Sequence, residues 1–139
     1  MSQQTAAPNR PPSAELALSD QLLEHADTCL QLAAKAHEPG PRAWLRASAL
    51  LQRQALETLL EALYAQRMPG VEHASLRAQL LVLPEILRSP AGLATRIGAA
   101  WGRLSSACHR GGGIGLQGVE RLREPLGVLR EWRGHGVWG

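Results

Sequence analysis

Arg103 and His109 are the two residues of this 139-residue chain whose types and spacing point to chemistry. A free imidazole titrates at about pH 6.5, so histidine exchanges protons close to neutral pH. The guanidinium fork keeps its charge and matches the oxygens of a phosphate. Five residues separate the pair, in the string Arg103-Leu104-Ser105-Ser106-Ala107-Cys108-His109. Spacing alone carries little weight, because 14 arginines and five histidines yield about one or two Arg-x(4–6)-His matches by chance. The chain has three. Arg67/His73 straddles Pro69-Gly70, and Arg130/His135 falls in a glycine-rich end, which leaves Arg103/His109 as the one on a strongly patterned helix.

On that helix Ile97, Trp101, Leu104 and Cys108 form one narrow apolar stripe at 100° per residue. Arg103 then lies about 130° to one side of the stripe and His109 about 110° to the other, so one helix cannot bring the two side chains together. A stripe that faces a two-fold mate places Arg103 of one chain near His109 of the other, which makes a homodimer the expectation. Arg96, Arg103 and Arg110, each seven apart, form a basic row, and Ser106 is three residues from both Arg103 and His109. Arg96, Ser106 and Arg110 are the expected contacts to a phosphate-bearing ligand around the Arg103/His109 pair. A plainer reading also fits: a histidine near a helix C-terminus, favoured there by the dipole, beside a solvated arginine.

The elements that position these residues are legible from punctuation and periodicity. Ser13 stands as a cap before a helix running to about Ala36, with Leu22, Leu23, Ala26, Leu30 and Ala33 inward and Glu15, Asp20, Glu24 and Asp27 outward. Pro41 opens a second helix that ends at Pro69-Gly70 near Arg67. Its core face is Leu45, Ala49, Leu56, Leu60 and Leu63, and its other face carries Arg46, Arg53 and Glu57, the last two placed for an i,i+4 pair. A third helix starts near Ala74, with Pro84 expected to kink or break it. Ser89-Pro90 is expected to open a fourth helix, from about Pro90 to Cys108. Nine of the 14 glycines follow Arg110, and a fifth helical segment, Val119 to Trp132, contains Pro125 and Gly127. The expected fold is therefore all-α: a four-helix up-down bundle over residues 14–109, a flexible tail at 1–13, and a glycine-rich linker with a weaker helix at 110–139, frayed from Gly134.

Composition agrees with that class. Leucine and alanine dominate and phenylalanine is absent, so a sheet has little to be made from. One domain of this length buries about two thirds of the surface its unfolded chain exposes. Cys29 and Cys108, the two cysteines, exclude a disulfide scaffold and are expected to be inert core thiols; no metal-ligand cluster can be assembled around them. Trp44 and Trp101 are expected in the core, and Trp132 and Trp138 near an interface. Gly111-Gly112-Gly113 lacks the lysine and hydroxyl residue of a phosphate loop. With no apolar leader and no long apolar run, the expectation is a soluble cytoplasmic domain without cofactor or membrane contact.

Charge is unevenly placed. Arg96 to Arg133 holds seven arginines against three glutamates, while Ala14 to Glu38 holds five acids and one lysine. That asymmetry suits a phosphate-bearing partner at the basic end, or simply a solvated arginine face.

The strings Ala100-Trp101-Gly102-Arg103-Leu104-Ser105-Ser106-Ala107-Cys108-His109 and Arg67 to Leu81 resemble small members of the HEPN superfamily from high-GC bacteria, a likeness that covers about Ala14 to His109. The resemblance implies a helical, metal-independent endoribonuclease acting as a toxin or defence effector. In that chemistry His109 is the general base on a ribose 2′-hydroxyl, and Arg103 steadies charge on the phosphoryl oxygens. It also implies an antitoxin or other operon partner. Leu104 stands where the family often has a polar residue. Arg110-Gly111 follows His109 where the toxin branch has His-x-Tyr, so that branch's tyrosine modification does not carry over to the sole tyrosine, Tyr64. Other relatives imply a catalytically silent RNA-binding or dimerisation module, and an unrelated helical adaptor also matches the pattern.

Overall fold

A computed structural model describes residues 12–37, 40–88, 91–110 and 115–132; among these the protein is all-helical, with no strand. α1 spans Pro12–Lys35, α2 Pro41–Arg67, α3 Leu76–Ile86, α4 Leu93–Arg110 and α5 Leu116–Trp132. A 3-10 turn, Val71–His73, precedes α3. No helix of the described residues is long and apolar enough to cross a membrane.

α2 has the bounds that its prolines dictate. Pro41 sits in the first turn, where its missing amide would have no intrahelical partner. At the far end the Met68 N–H donates to the Tyr64 carbonyl at 2.8 Å, and Gly70 turns the chain with a φ of 107° that a side chain would resist. α1 begins at Pro12, so Ser13 lies within the helix rather than ahead of it. The remaining tail, residues 1–11, and the end from Gly134 lie outside the described residues.

α3 starts two residues after Ala74 because Val71–His73 forms the 3-10 turn, and Ser75 is its cap, accepting from the Ala78 N–H at 3.2 Å. Pro84 does not break it. The helix continues to Ile86 and closes with Leu87 N–H on the Leu83 carbonyl at 2.9 Å. So near the end, the proline's missing donor affects only the last turns. α4 opens at Leu93, three residues later than Pro90; Gly92, with φ 80°, accepts from Arg96 N–H at 3.1 Å. The expected Ser89 cap and Pro90 fall outside the described residues.

One core joins the helices. Leu23 of α1, Leu56, Leu60 and Leu63 of α2, Leu83 of α3, Ile97 and Leu104 of α4, and Leu126 and Leu129 of α5 are all fully buried. Such burial contributes about 1.5–3 kcal/mol per side chain. α5 is thus part of the core and packs on α1, α2 and α4, while the short α3 packs mainly on α2 and α4. Polar stitching supports this packing. Ser48 Oγ donates to the Ala26 carbonyl at 3.0 Å, and Gln52 Nε2 reaches Ser48 Oγ at 3.2 Å and the Val119 carbonyl at 3.5 Å, linking α1, α2 and α5. Buried Tyr64 donates its hydroxyl to the Gln79 carbonyl, and the two N–H groups of Gln79 Nε2 point among the carbonyls of Val71, Glu72 and Ala74, within 3.0–3.3 Å, which holds the 3-10 turn.

The acidic first helix and the basic end meet each other. Arg123 grips Asp27 with Nε–Oδ1 at 2.9 Å and Nη2–Oδ2 at 3.1 Å, and Arg130 Nε pairs with Asp20 Oδ1 at 2.8 Å. Both pairs step by seven in opposite chain directions, so α5 runs antiparallel to α1. Gly127 leaves space beside that guanidinium: a Cβ there would lie 3.1 Å from Arg123 Nη1.

Candidate functional site

α4 presents the Arg103/His109 pair from a backbone fixed by its inner face. Leu93, Ile97, Ala100, Leu104 and Ala107 are buried, and that face is centred about 50° from the expected stripe, because small Ala100 and Ala107 pack inward. Ile97 and Leu104 are therefore spent on the chain's own core, and Trp101 and Cys108 are half-buried against it. What the stripe leaves for a two-fold mate is the exposed part of Trp101 and Cys108.

Arg103, Ser106 and His109 are exposed. Among the described residues Arg103 has no ion pair and the His109 imidazole no hydrogen bond. Six residues apart on one helix, Arg103 and His109 stand about 9 Å apart along the axis and about 120° around it, so they do not converge within a chain. Arg96 is ion-paired with Glu124 of α5, which removes it from an open basic row. The Arg110 side chain lies outside what is described.

The structure brings different arginines to His109. A cleft of about 430 Å³ between α2 and α4 is lined by Arg46, Arg53, Cys108 and His109, with Ala47 and Leu50 supplying apolar surface. Arg46 Nη2 donates to the Cys108 carbonyl at 3.3 Å, using one of the unpaired carbonyls at the end of α4. Arg53 Nε lies 3.7 Å from Glu57 Oε2, the expected i,i+4 pair, but it is buried and has no hydrogen-bond acceptor. Trp101 Nε1 donates to the same Glu57 Oε2 at 3.4 Å, so polar bonds tie α2 to α4 at two points. Burial raises the Cys108 thiol pKa, against the opposing pull of Arg53 and Arg46, while Glu57 adds to the rise. Burial likewise raises the Cys29 thiol; both cysteines are free.

Sequence reasoning placed Arg46 and Arg53 on the outer face of α2 without linking them to His109. The available signal was a pair of arginines seven apart beside small Ala43 and Ala47, which leave room for a neighbouring helix end. A second cleft, of about 520 Å³, lies where Leu22, Glu57, Glu61, Glu72 and Gln79 approach. No three His, Cys, Asp or Glu side chains gather as metal ligands among the described residues. Trp44 is partly exposed and not in the core.

Comparison with known proteins finds no matching family model, no similar curated protein and no similar solved structure.

Proposed function

We propose that the chain is a HEPN-like cytoplasmic RNA-cleaving domain, a toxin or defence effector, working as a homodimer. His109 takes the proton of a ribose 2′-hydroxyl. The freed oxygen attacks the adjacent phosphorus, and the 5′-oxygen leaves with a proton from solvent, giving a cyclic phosphate and a 5′-hydroxyl. Arg103 of the second copy steadies the charge that develops on the phosphoryl oxygens. The observation that carries this reading is the presentation of Arg103 and His109: both are exposed on a helix anchored through its buried apolar face, and Arg103 has no ion pair among the described residues. Anchoring of this kind fixes the backbone from which the two side chains project. The same reading takes the helices as an up-down bundle and expects a protein partner from the same operon.

A second reading, a silent RNA-binding or dimerisation module, is favoured by one specific feature. No side chain among the described residues orients the His109 imidazole, whereas catalytic histidines are normally held by a second group. Incubation of purified protein with RNA and excess chelator separates the two. Cyclic-phosphate ends support the nuclease; retained but intact RNA supports the module.

A further inference from the structure

We propose that the phosphate next to His109 is held by Arg46 and Arg53 of α2, within the same chain. The inference rests on the RNA reading above and assigns phosphate-holding residues that the Arg-x(5)-His pattern leaves out.

Five observations converge on it. Arg46 and Arg53 line the one described cleft that His109 also lines, and Arg103 does not. They are seven residues apart, so they project from one side of α2 about 10 Å apart along its axis. That helix is fixed from behind by fully buried Ala49, Leu56 and Leu60. Neither guanidinium is saturated: each has five N–H donors, Arg46 gives one to the Cys108 carbonyl, and Arg53 Nε finds no acceptor. A phosphate offers several strong acceptor oxygens and the negative charge that two adjacent cations favour. The volume of about 430 Å³ lies within the range that takes a small ligand such as one nucleotide.

The arrangement contains its own competitor. Glu57 faces Arg53 at 3.7 Å and offsets part of its charge. Loss of the Glu57 carboxylate therefore strengthens the cleft, whereas loss of a glutamate elsewhere does not. Glu85, paired with Arg88 on the exposed side of α3, is the matched control.

The test is fluorescence anisotropy of a labelled single-stranded RNA oligonucleotide of mixed sequence, titrated with the full chain over a range of salt. Arg46→Gln and Arg53→Gln should each weaken binding several-fold and flatten the log–log salt slope by about 0.7, the value for one phosphate contact on a single strand. Glu57→Gln should tighten binding and Glu85→Gln should leave it unchanged, with circular dichroism confirming that every variant is folded. If Arg46→Gln and Arg53→Gln bind like the wild type while Arg103→Gln loses affinity, the α2 assignment is overturned and the RNA reading stands. If the wild type binds no RNA at low salt, the RNA reading falls and takes this inference with it.

Discussion

Replacing Asp27 with alanine should detach α5 from α1 in a measurable way. Arg123 makes two hydrogen bonds to that carboxylate, at 2.9 and 3.1 Å, and its side chain is only 19% exposed against 44% for Asp27. An exposed pair contributes about 0.2–1 kcal/mol, and bidentate, half-buried geometry puts this one at the upper end. Truncating Asp27 also leaves donors of a mostly buried guanidinium unmet, which costs about 1 kcal/mol more. The expected loss is about 2 kcal/mol, or roughly 6 °C in Tm for a chain of this size. Arg123→Ala should cost less electrostatically, because the carboxylate it leaves behind is better solvated. In a double-mutant cycle read by thermal melting, the pair should couple by about 1 kcal/mol and the coupling should shrink in high salt. Melting of Asp27→Ala indistinguishable from wild type, or an additive cycle, would refute the argument that this pair locks α5.

Two further predictions concern titration. Burial pushes the sole tyrosine, Tyr64, up to about 12, so the unfolded chain ionises first; the stability this represents is complete below about pH 10 and is lost as pH rises through about 12. Phenolate absorbance and helical signal should therefore change together in that window, and phenolate appearing near pH 10 in a chain that is still folded would contradict the burial argument. The Cys108 thiol, raised by burial and opposed by Arg53 and Arg46, should be alkylated slowly at neutral pH, as followed by peptide mass. Arg53→Gln should move its reaction profile to higher pH and Glu57→Gln to lower pH; unmoved profiles would mean that these charges do not reach the cleft.

Much of the fold is legible in the sequence where punctuation is unambiguous. Pro41 opens α2 and Pro69-Gly70 stands just past its end at Arg67, and the leucine spacing marks its buried face. Where two signals compete, the weaker-looking one prevails. Ser89-Pro90 reads as a helix start, yet Gly92 with its positive φ delays α4 to Leu93. Pro125 and Gly127 read as breakers, yet Leu122, Leu126 and Leu129 bury α5 in the core, and Gly127 makes room for Arg123. Local pattern also misassigned the charge. Arg96, Arg123 and Arg130 look like a basic surface, but their acids arrive from elsewhere in the chain. The site shows the same limit. Arg103 and His109 are found by spacing, whereas Arg46 joins His109 only through a hydrogen bond to Cys108, 62 residues away in sequence.

The most direct test of the RNA-cleaving reading assays three samples on RNA in the presence of chelator: His109→Ala, Arg103→Ala, and the two mixed under conditions that exchange subunits. Each variant alone should lose cleavage by about 10²- to 10⁴-fold with little change in melting, because both side chains are exposed. Each mixed dimer restores one intact Arg103/His109 pair, so partial activity should return. Undiminished cleavage by His109→Ala would contradict the account.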